Sequence, residues 1–233
     1  MRTKPSAFGS VGVLTIDDHP VFRQGIRHML QEEDGITPLE EASSVDSAIR
    51  WLRMHRADVV LLDHNLIGVN GVDAIPQLLE AQADLQIIML TVCDDSQVFM
   101  KAIRFGACGY MLKDTAPNRI LEAIKAAASG ECRVSDSLVR TLFRGVGKTT
   151  INKNLESINT STITPPSGKK VSVREKQILE QLVKGKSNKE IAKALEISPN
   201  TVRNQLQKLQ DTFDARNRVQ LALFAYDMGI GNA

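Results

Sequence analysis

Apolar positions follow two different periods in the two halves of the chain. Up to about residue 130, short apolar runs alternate with stretches whose apolar residues recur at helical spacing. The run Val59-Val60-Leu61-Leu62 has no polar alternation and ends abruptly on Asp63. Such a run predicts a strand buried on both faces, as in a parallel sheet. Val11–Asp17, Ile36–Ala42 (weaker), Gln86–Thr91 and Gly109–Lys113 read as four more strands. Between them lie five helical patterns. One opens at Pro20, with Val21, Phe22, Ile26, Met29 and Leu30 as its apolar face. A second, capped by Ser43 or Ser44, runs through His55 with Ala48, Ile49 and Leu52 inward. Gly68 and Gly71 mark a loop before a third helix, Val72–Ala83, which contains Pro76. Asp94-Asp95-Ser96 leads into Gln97–Phe105, and Pro117 opens a last helix to Ser129. Five successive βα units predict an α/β fold, a doubly wound five-stranded parallel sheet.

From residue 171 the pattern is helical throughout. Arg174–Lys184 carries Ile178, Leu179, Leu182 and Val183 on one face and stops at Gly185. Ser187 and Glu190 form a capping box for Asn188–Leu195. Glu196-Ile197 is a short turn, Ser198 caps a third helix with Pro199 at its first position, and Asn217 caps a fourth, Arg218–Met228. The middle pair has helix-turn-helix form, so a small all-α domain is expected. In the third helix Val202, Leu206 and Leu209 must face the core. The opposite face then presents Asn200, Thr201, Arg203, Asn204, Gln207 and Lys208, donors and acceptors with little acid, suited to base edges and phosphates. An ordinary solvated face more often mixes Glu with Lys.

Between the halves, Asp136–Phe143 reads as one short helix, and residues 145–169, rich in Ser, Thr, Asn, Gly and Pro, as a flexible linker. GVGKTT within it lacks the leading glycine and the preceding strand of a phosphate-binding loop. The expected organisation is therefore a domain over 1–130, a short helix and linker over 131–170, and a second domain over 171–233.

Charge sharpens this division. The overall +2 hides a net −5 over residues 1–130, +2 over 131–168 and +5 over 169–233. The acidic half suits cations and the basic tail a polyanion. No apolar run approaches a membrane span, and the amino-terminal MRTKPSAFGS has no apolar signal core, so a cytoplasmic protein with no membrane partner is expected. Cys93, Cys108 and Cys132 form no CxxC pair and read as free thiols.

The strand ends carry the chemistry: Asp17 and Asp18, Asp63, Thr91 and Lys113. Ligands of parallel sheets bind outside these ends. Asp17, Asp18 and Asp63 could meet across adjacent strands, where mutual repulsion would call for a hard divalent cation, and oxygen-only ligands suit Mg²⁺. Each residue alone has a commoner explanation: a capping Asp pair, a strand-end Thr, a surface Lys. Together at successive strand ends they fit phosphoryl transfer to an aspartate.

The motifs DDHP at 17–20, LLDHNLIGVNG at 61–71, LTVCDD at 90–95 and GACGYMLKD at 106–114 resemble the flavodoxin-like receiver domain of two-component response regulators. The stretch from Arg174 to Leu209 resembles the LuxR-type helix-turn-helix of the NarL/FixJ class. The resemblance implies a DNA-binding transcription factor, not an enzyme beyond self-phosphorylation and slow self-dephosphorylation. A histidine kinase would phosphorylate Asp63. Asp18, Asp63 and the Asn65 backbone carbonyl would ligate Mg²⁺, Asp17 assisting through water. Lys113 would pair with the phosphoryl group, Thr91 would hydrogen-bond to it, and Tyr110 would switch rotamer. On double-stranded DNA, Arg203, Asn204 and Gln207 match base-facing positions, and Thr201, Gln205, Asn188 and Lys189 backbone-facing ones. The last helix resembles the family's dimerisation helix, with Val219, Ala222, Leu223 and Tyr226 as contacts of an active homodimer.

Some positions depart from the family pattern. Ile67 stands where Pro is usual, which would loosen the phosphoacceptor loop. Gln205 replaces a frequent His, and Asn204 and Gln207 replace commoner Val and Lys; both amides can pair bidentately with adenine. A phosphatase using an aspartate nucleophile would carry an acid two residues beyond it, and Asn65 stands there instead. A receiver acting as scaffold alone leaves the basic tail unexplained, and a receiver that works without phosphate has only Ile67 in its favour.

Overall fold

A computed structural model describes residues 9–92, 95–130 and 171–231. They form two separate units, one on each side of residues 131–170. The short helix and linker expected there, together with Cys93, Asp94 and Cys132, lie outside the described residues.

The first unit is a sheet of five parallel strands: β1 (Val11–Ile16), β2 (Ile36–Ala42), β3 (Val59–Asp63), β6 (Gln86–Thr91) and β7 (Gly109–Leu112). Their order is β2-β1-β3-β6-β7, so the chain reverses its direction of winding between β1 and β3. The five helices are α1 (Pro20–Gln31), α2 (Val45–Leu52), α3 (Gly71–Ala81), α4 (Ser96–Phe105) and α5 (Pro117–Ala128). β3 is buried along its whole length, as its unbroken apolar run demands. β2, the weaker pattern, is an edge strand. Pro38 sits in it where the register with β1 slips by one residue, which an edge tolerates because no ladder donor is lost on the open side.

Local chemistry sets the helix boundaries. Ser44, not Ser43, caps α2, and Ser47 completes the box. α2 ends at Leu52 rather than running to His55. The Asp95 carboxylate accepts from the Gln97 and Val98 amides to start α4. Pro76 is tolerated inside α3, on its exposed side. On α1, Ile26 and Leu30 are buried, but Val21 is 82% exposed and so lies off the core face. The expected loop after Asp63 contains an antiparallel ribbon, β4 (Asn65–Leu66) with β5 (Val69–Asn70). Ile67 and Gly68 form its turn, Gly68 at φ +77°.

The second unit is four helices: α6 (Val173–Val183), α7 (Asn188–Leu195), α8 (Pro199–Phe213) and α9 (Arg218–Asp227). Ser172 and Glu175 form a capping box on α6, and Ser187 and Glu190 one on α7. Ser198 caps α8 and Asn217 caps α9. Ile178, Leu179, Leu182, Ile191, Val202, Leu206, Leu209, Phe213 and Leu221 make the core, with Val202, Leu206 and Leu209 inward as their spacing requires. α7 and α9 pack on α8, leaving the first two turns of α8 exposed on the opposite side.

Candidate functional site

Parallel register carries the strand ends to one edge. Ile16 lies opposite Leu62, Asp63 opposite Leu90, and Thr91 opposite Leu112. The residues that follow, Asp17 after β1 and Lys113 after β7, therefore meet Asp63 at the point where the winding reverses, the usual place for a ligand crevice.

There the Lys113 ammonium lies 2.7 Å from Asp63 Oδ2 and 2.7 Å from Asp17 Oδ2. It donates a hydrogen bond to Asp63, and the Phe22 ring lies 4.6 Å from it. Asp17 and Asp63 are almost wholly buried, at 1% and 2% exposure. Burial pushes the Asp63 carboxyl above its usual range; the Lys113 hydrogen bond opposes this and the Asp17 charge adds to it. Burial alone would lower Lys113, but its hydrogen bonds to Asp17 and Asp63 outweigh that and hold it above the usual lysine value. Both shifts follow from buried charges whose main relief is each other.

Asp17, Asp18, His19 and Asp63 place ligand atoms within 4.8 Å of one another. Asp17 Oδ2 faces the Lys113 ammonium at 2.7 Å, and Asp18 Oδ1 faces the His19 ring at 2.7 Å. Three carboxylates clustered this closely fit a hard cation. Asn65 donates its backbone N–H to Asp63 Oδ1 at 3.2 Å. Thr91 is fully buried at the end of β6, and its carbonyl accepts from the Lys113 amide at 2.7 Å. Tyr110 is 1% exposed and packs edge-on against Phe99, with centroids 5.2 Å apart. Its ring therefore points into the α4 side of the unit.

Three neighbours of this site escaped the sequence reading. His19 stands at the mouth, its Nδ1 2.7 Å from Asp18 Oδ1. Helical spacing puts Phe22 on the α1 core face, yet its ring lies against the Lys113 ammonium. Arg23 donates to the Asp17 carbonyl at 2.6 Å and approaches Glu41, which Arg27 also pairs. Only the adjacency of His19 to the Asp pair could have signalled any of them.

On α8, Asn200, Thr201, Arg203 and Asn204 are exposed, and Gln205 and Gln207 half-buried. The face is less free of acid than its sequence suggests. Gln207 Nε2 donates to Asp211 Oδ1 at 3.1 Å, and Lys208 reaches Glu175 at 3.4 Å. A bidentate contact from Gln207 would first have to release Asp211. The Thr201 hydroxyl is engaged with Ser198 at the cap. Asn188 Oδ1 accepts from Arg218, while Lys189 is exposed. On α9, Val219, Ala222 and Tyr226 are half-buried, but Leu223 is 5% exposed within the chain itself, so it offers little surface to a second copy.

Comparison with known proteins identifies both units. Residues 13–125 match the family described as response regulator receiver domain, and residues 169–225 the bacterial regulatory proteins of the luxR family. The response regulator UvrY of Escherichia coli K12 is 31% identical over 223 residues, covering 96% of this chain and 97% of that protein. A nitrate/nitrite response regulator homologue of Haemophilus influenzae is 33% identical over 215 residues, covering 92% and 96%. A LuxR-family two-component response regulator from Aurantimonas superposes with a TM-score of 0.56 at 26% identity, covering 60% of this chain and 99% of that one. Receiver fold, strand-end acids and helix-turn-helix thus occur in one chain that is similar along nearly its full length to such regulators, and the protein belongs to the DNA-binding response regulators of two-component systems, in the NarL/FixJ class.

Proposed function

We propose that Asp63 is the phosphoacceptor and that its phosphorylation switches DNA binding by the second unit. The observation that carries this is Lys113, held between Asp63 and Asp17 in a buried acidic pocket. A phosphohistidine of a histidine kinase is the donor: its P–N bond breaks and a P–O bond forms to an Asp63 carboxylate oxygen. Asp18, Asp63 and the Asn65 carbonyl would hold Mg²⁺, with Asp17 acting through water. When bound, that ion neutralises charge on the transferred group. Lys113 already faces the acceptor oxygen and exchanges its carboxylate contact for the phosphoryl oxygens. The Thr91 hydroxyl turns toward the new anion, and Tyr110 follows by changing its packing against Phe99. Such a shift biases a pre-existing equilibrium rather than creating a new state. Hydrolysis of the acyl phosphate by water resets the switch slowly, with no other substrate turned over.

The working division is a receiver over 1–130, a short helix and linker over 131–170 and a DNA-binding domain over 171–233. Arg203, Asn204 and Gln207 would read bases, and Thr201, Gln205, Asn188 and Lys189 would contact the DNA backbone. A homodimer paired through Val219, Ala222 and Tyr226 of α9 would read two half-sites of double-stranded DNA in the cytoplasm. Among the described residues no helix is long and apolar enough to cross a membrane.

The test is incubation of wild type and Asp63→Asn with acetyl phosphate and Mg²⁺, followed by phosphate-affinity electrophoresis and DNA titration. Wild type should be labelled and bind DNA more tightly after labelling; Asp63→Asn should do neither. Equal labelling, or equal affinity with and without donor, refutes the switch.

A further inference from the structure

The acidic pocket holds one group that phosphoryl transfer does not use. His19 Nδ1 lies 2.7 Å from Asp18 Oδ1, 3.3 Å from Asp17 Oδ1 and 3.9 Å from Asp63 Oδ2. Two ligands on one ion at bond lengths of about 2.0–2.2 Å must lie roughly 3–4 Å apart. The three contacts nearly span that range, so little movement would bring the imidazole and the carboxylates onto a single cation. The His19 amide also donates to Asp17 Oδ1 at 2.8 Å, which ties the residue's backbone to the pocket. Its side chain is 65% exposed, open to an ion arriving from water. Across the mouth Lys113 is the facing cation, and it sits on the Asp17 Oδ2 and Asp63 Oδ2 side.

We propose that His19 adds a nitrogen donor to the cation site and so makes the receiver selective for zinc-like first-row transition ions over magnesium. Mg²⁺ gains little from an imidazole, since it prefers oxygen and keeps its waters. Zn²⁺, Co²⁺ and Ni²⁺ gain substantially. The same pocket that admits Mg²⁺ for phosphorylation then binds these ions more tightly through a fourth ligand. Asp18 and Asp63 serve both, so the ions exclude one another, and the metal in the pocket becomes an input to the switch. This inference rests on the cation site of the proposed function, and it adds the class of ion and the residue that selects it.

The experiment uses the full-length protein with Mg²⁺, Zn²⁺ and Co²⁺ as probes. Dissociation constants for Mg²⁺ and for the Zn²⁺ fraction that Mg²⁺ displaces are measured in wild type, His19→Asn and His19→Gln. The expected result is a loss of about tenfold or more in Zn²⁺ affinity on either substitution, the scale of losing metal-tuning imidazole contacts. Mg²⁺ affinity should stay within about twofold in the same variants, as expected for an ion that its oxygen ligands hold. The visible band of bound Co²⁺ should shift when the nitrogen is lost. A ratio of Zn²⁺ to Mg²⁺ affinity unchanged by both substitutions, with an unchanged Co²⁺ band, overturns the inference and leaves the phosphoacceptor reading intact. Failure of wild type to bind Mg²⁺ at all sinks both.

Discussion

The pocket is decided by a handful of side chains and by one absent side chain. A Cβ on Gly71 would lie 1.9 Å from the Asp63 carbonyl oxygen, because the ribbon folds back onto the end of β3 and the Gly71 amide bonds the His64 carbonyl at 2.7 Å. Gly71→Ala should therefore shift Asp63 and destabilise the first unit by about 1–3 kcal/mol, the usual cost of overpacking. Thermal melts check this, and an unchanged melting temperature would show that the ribbon can retreat. Asp63 itself works against folding. Its raised pKa means that the folded state binds the proton more tightly than the unfolded chain. Protonation therefore stabilises the fold, and this stabilisation fades as pH rises through the ordinary aspartate value of 3.8 and then the higher folded value. At neutral pH, with chelator present, Asp63→Asn should melt at a higher temperature than wild type, and added Mg²⁺ should narrow the gap. A variant that melts lower in chelator would mean that the Lys113 contact outweighs burial.

Elements bring their own strain and slack. α7 ends on Glu196 at φ +54° and α8 on Asp214 at φ +52°, both left-handed positions where a glycine costs least. Asp214→Gly should stabilise the second unit by about 0.5–1 kcal/mol, read from urea unfolding followed by helical circular dichroism. Loss of stability would show that the aspartate side chain does more than occupy the turn. The β4–β5 turn has the opposite defect. Ile67 stands at its first corner, before Gly68, the position proline favours in such turns, and Leu66 before it is already extended. Ile67→Pro should add about 0.4–1 kcal/mol by restricting the unfolded chain, and it should remove an apolar side chain that is 86% exposed. A drop in stability would place Ile67 outside the proline range of φ. These positions also show what a linear reading misses. Glu196-Ile197 was legible as a turn, but its handedness was not, since nothing local marks a non-glycine residue for positive φ. The ribbon after Asp63 was hidden because two-residue strands carry no period.

At the scale of the molecule, charge is divided between the two units, with a net −5 over residues 1–130 and +5 over 169–233. Polyanion binding by the basic unit is a counterion-release effect and should weaken steeply with salt. A fragment of residues 171–233, which contains its own closed core, should bind nonspecific duplex DNA several-fold more tightly at low salt than the unphosphorylated full chain does. The advantage should shrink as salt screens the acidic unit. Fluorescence anisotropy on random duplex across a salt series measures it; equal affinities at low salt would mean that the acidic half is not felt at the DNA surface.

The sequence determined the element order, the apolar faces and the caps at Ser187, Ser198 and Asn217, because each depends on neighbours within a turn or a strand. It also placed Asp17, Asp63, Thr91 and Lys113 at the ends of buried parallel strands, which share one edge. Tertiary structure alone decided how they share charge. The Lys113 bridge depends on strands β1, β3 and β7, which are far apart in the chain and aligned only by register. It alone brought His19 over the acids and Phe22 against the lysine, set Gly71 hard against the Asp63 carbonyl, and tied Gln207 to Asp211. Periodicity reports which face a residue occupies, whereas contact distances follow from how separate elements pack.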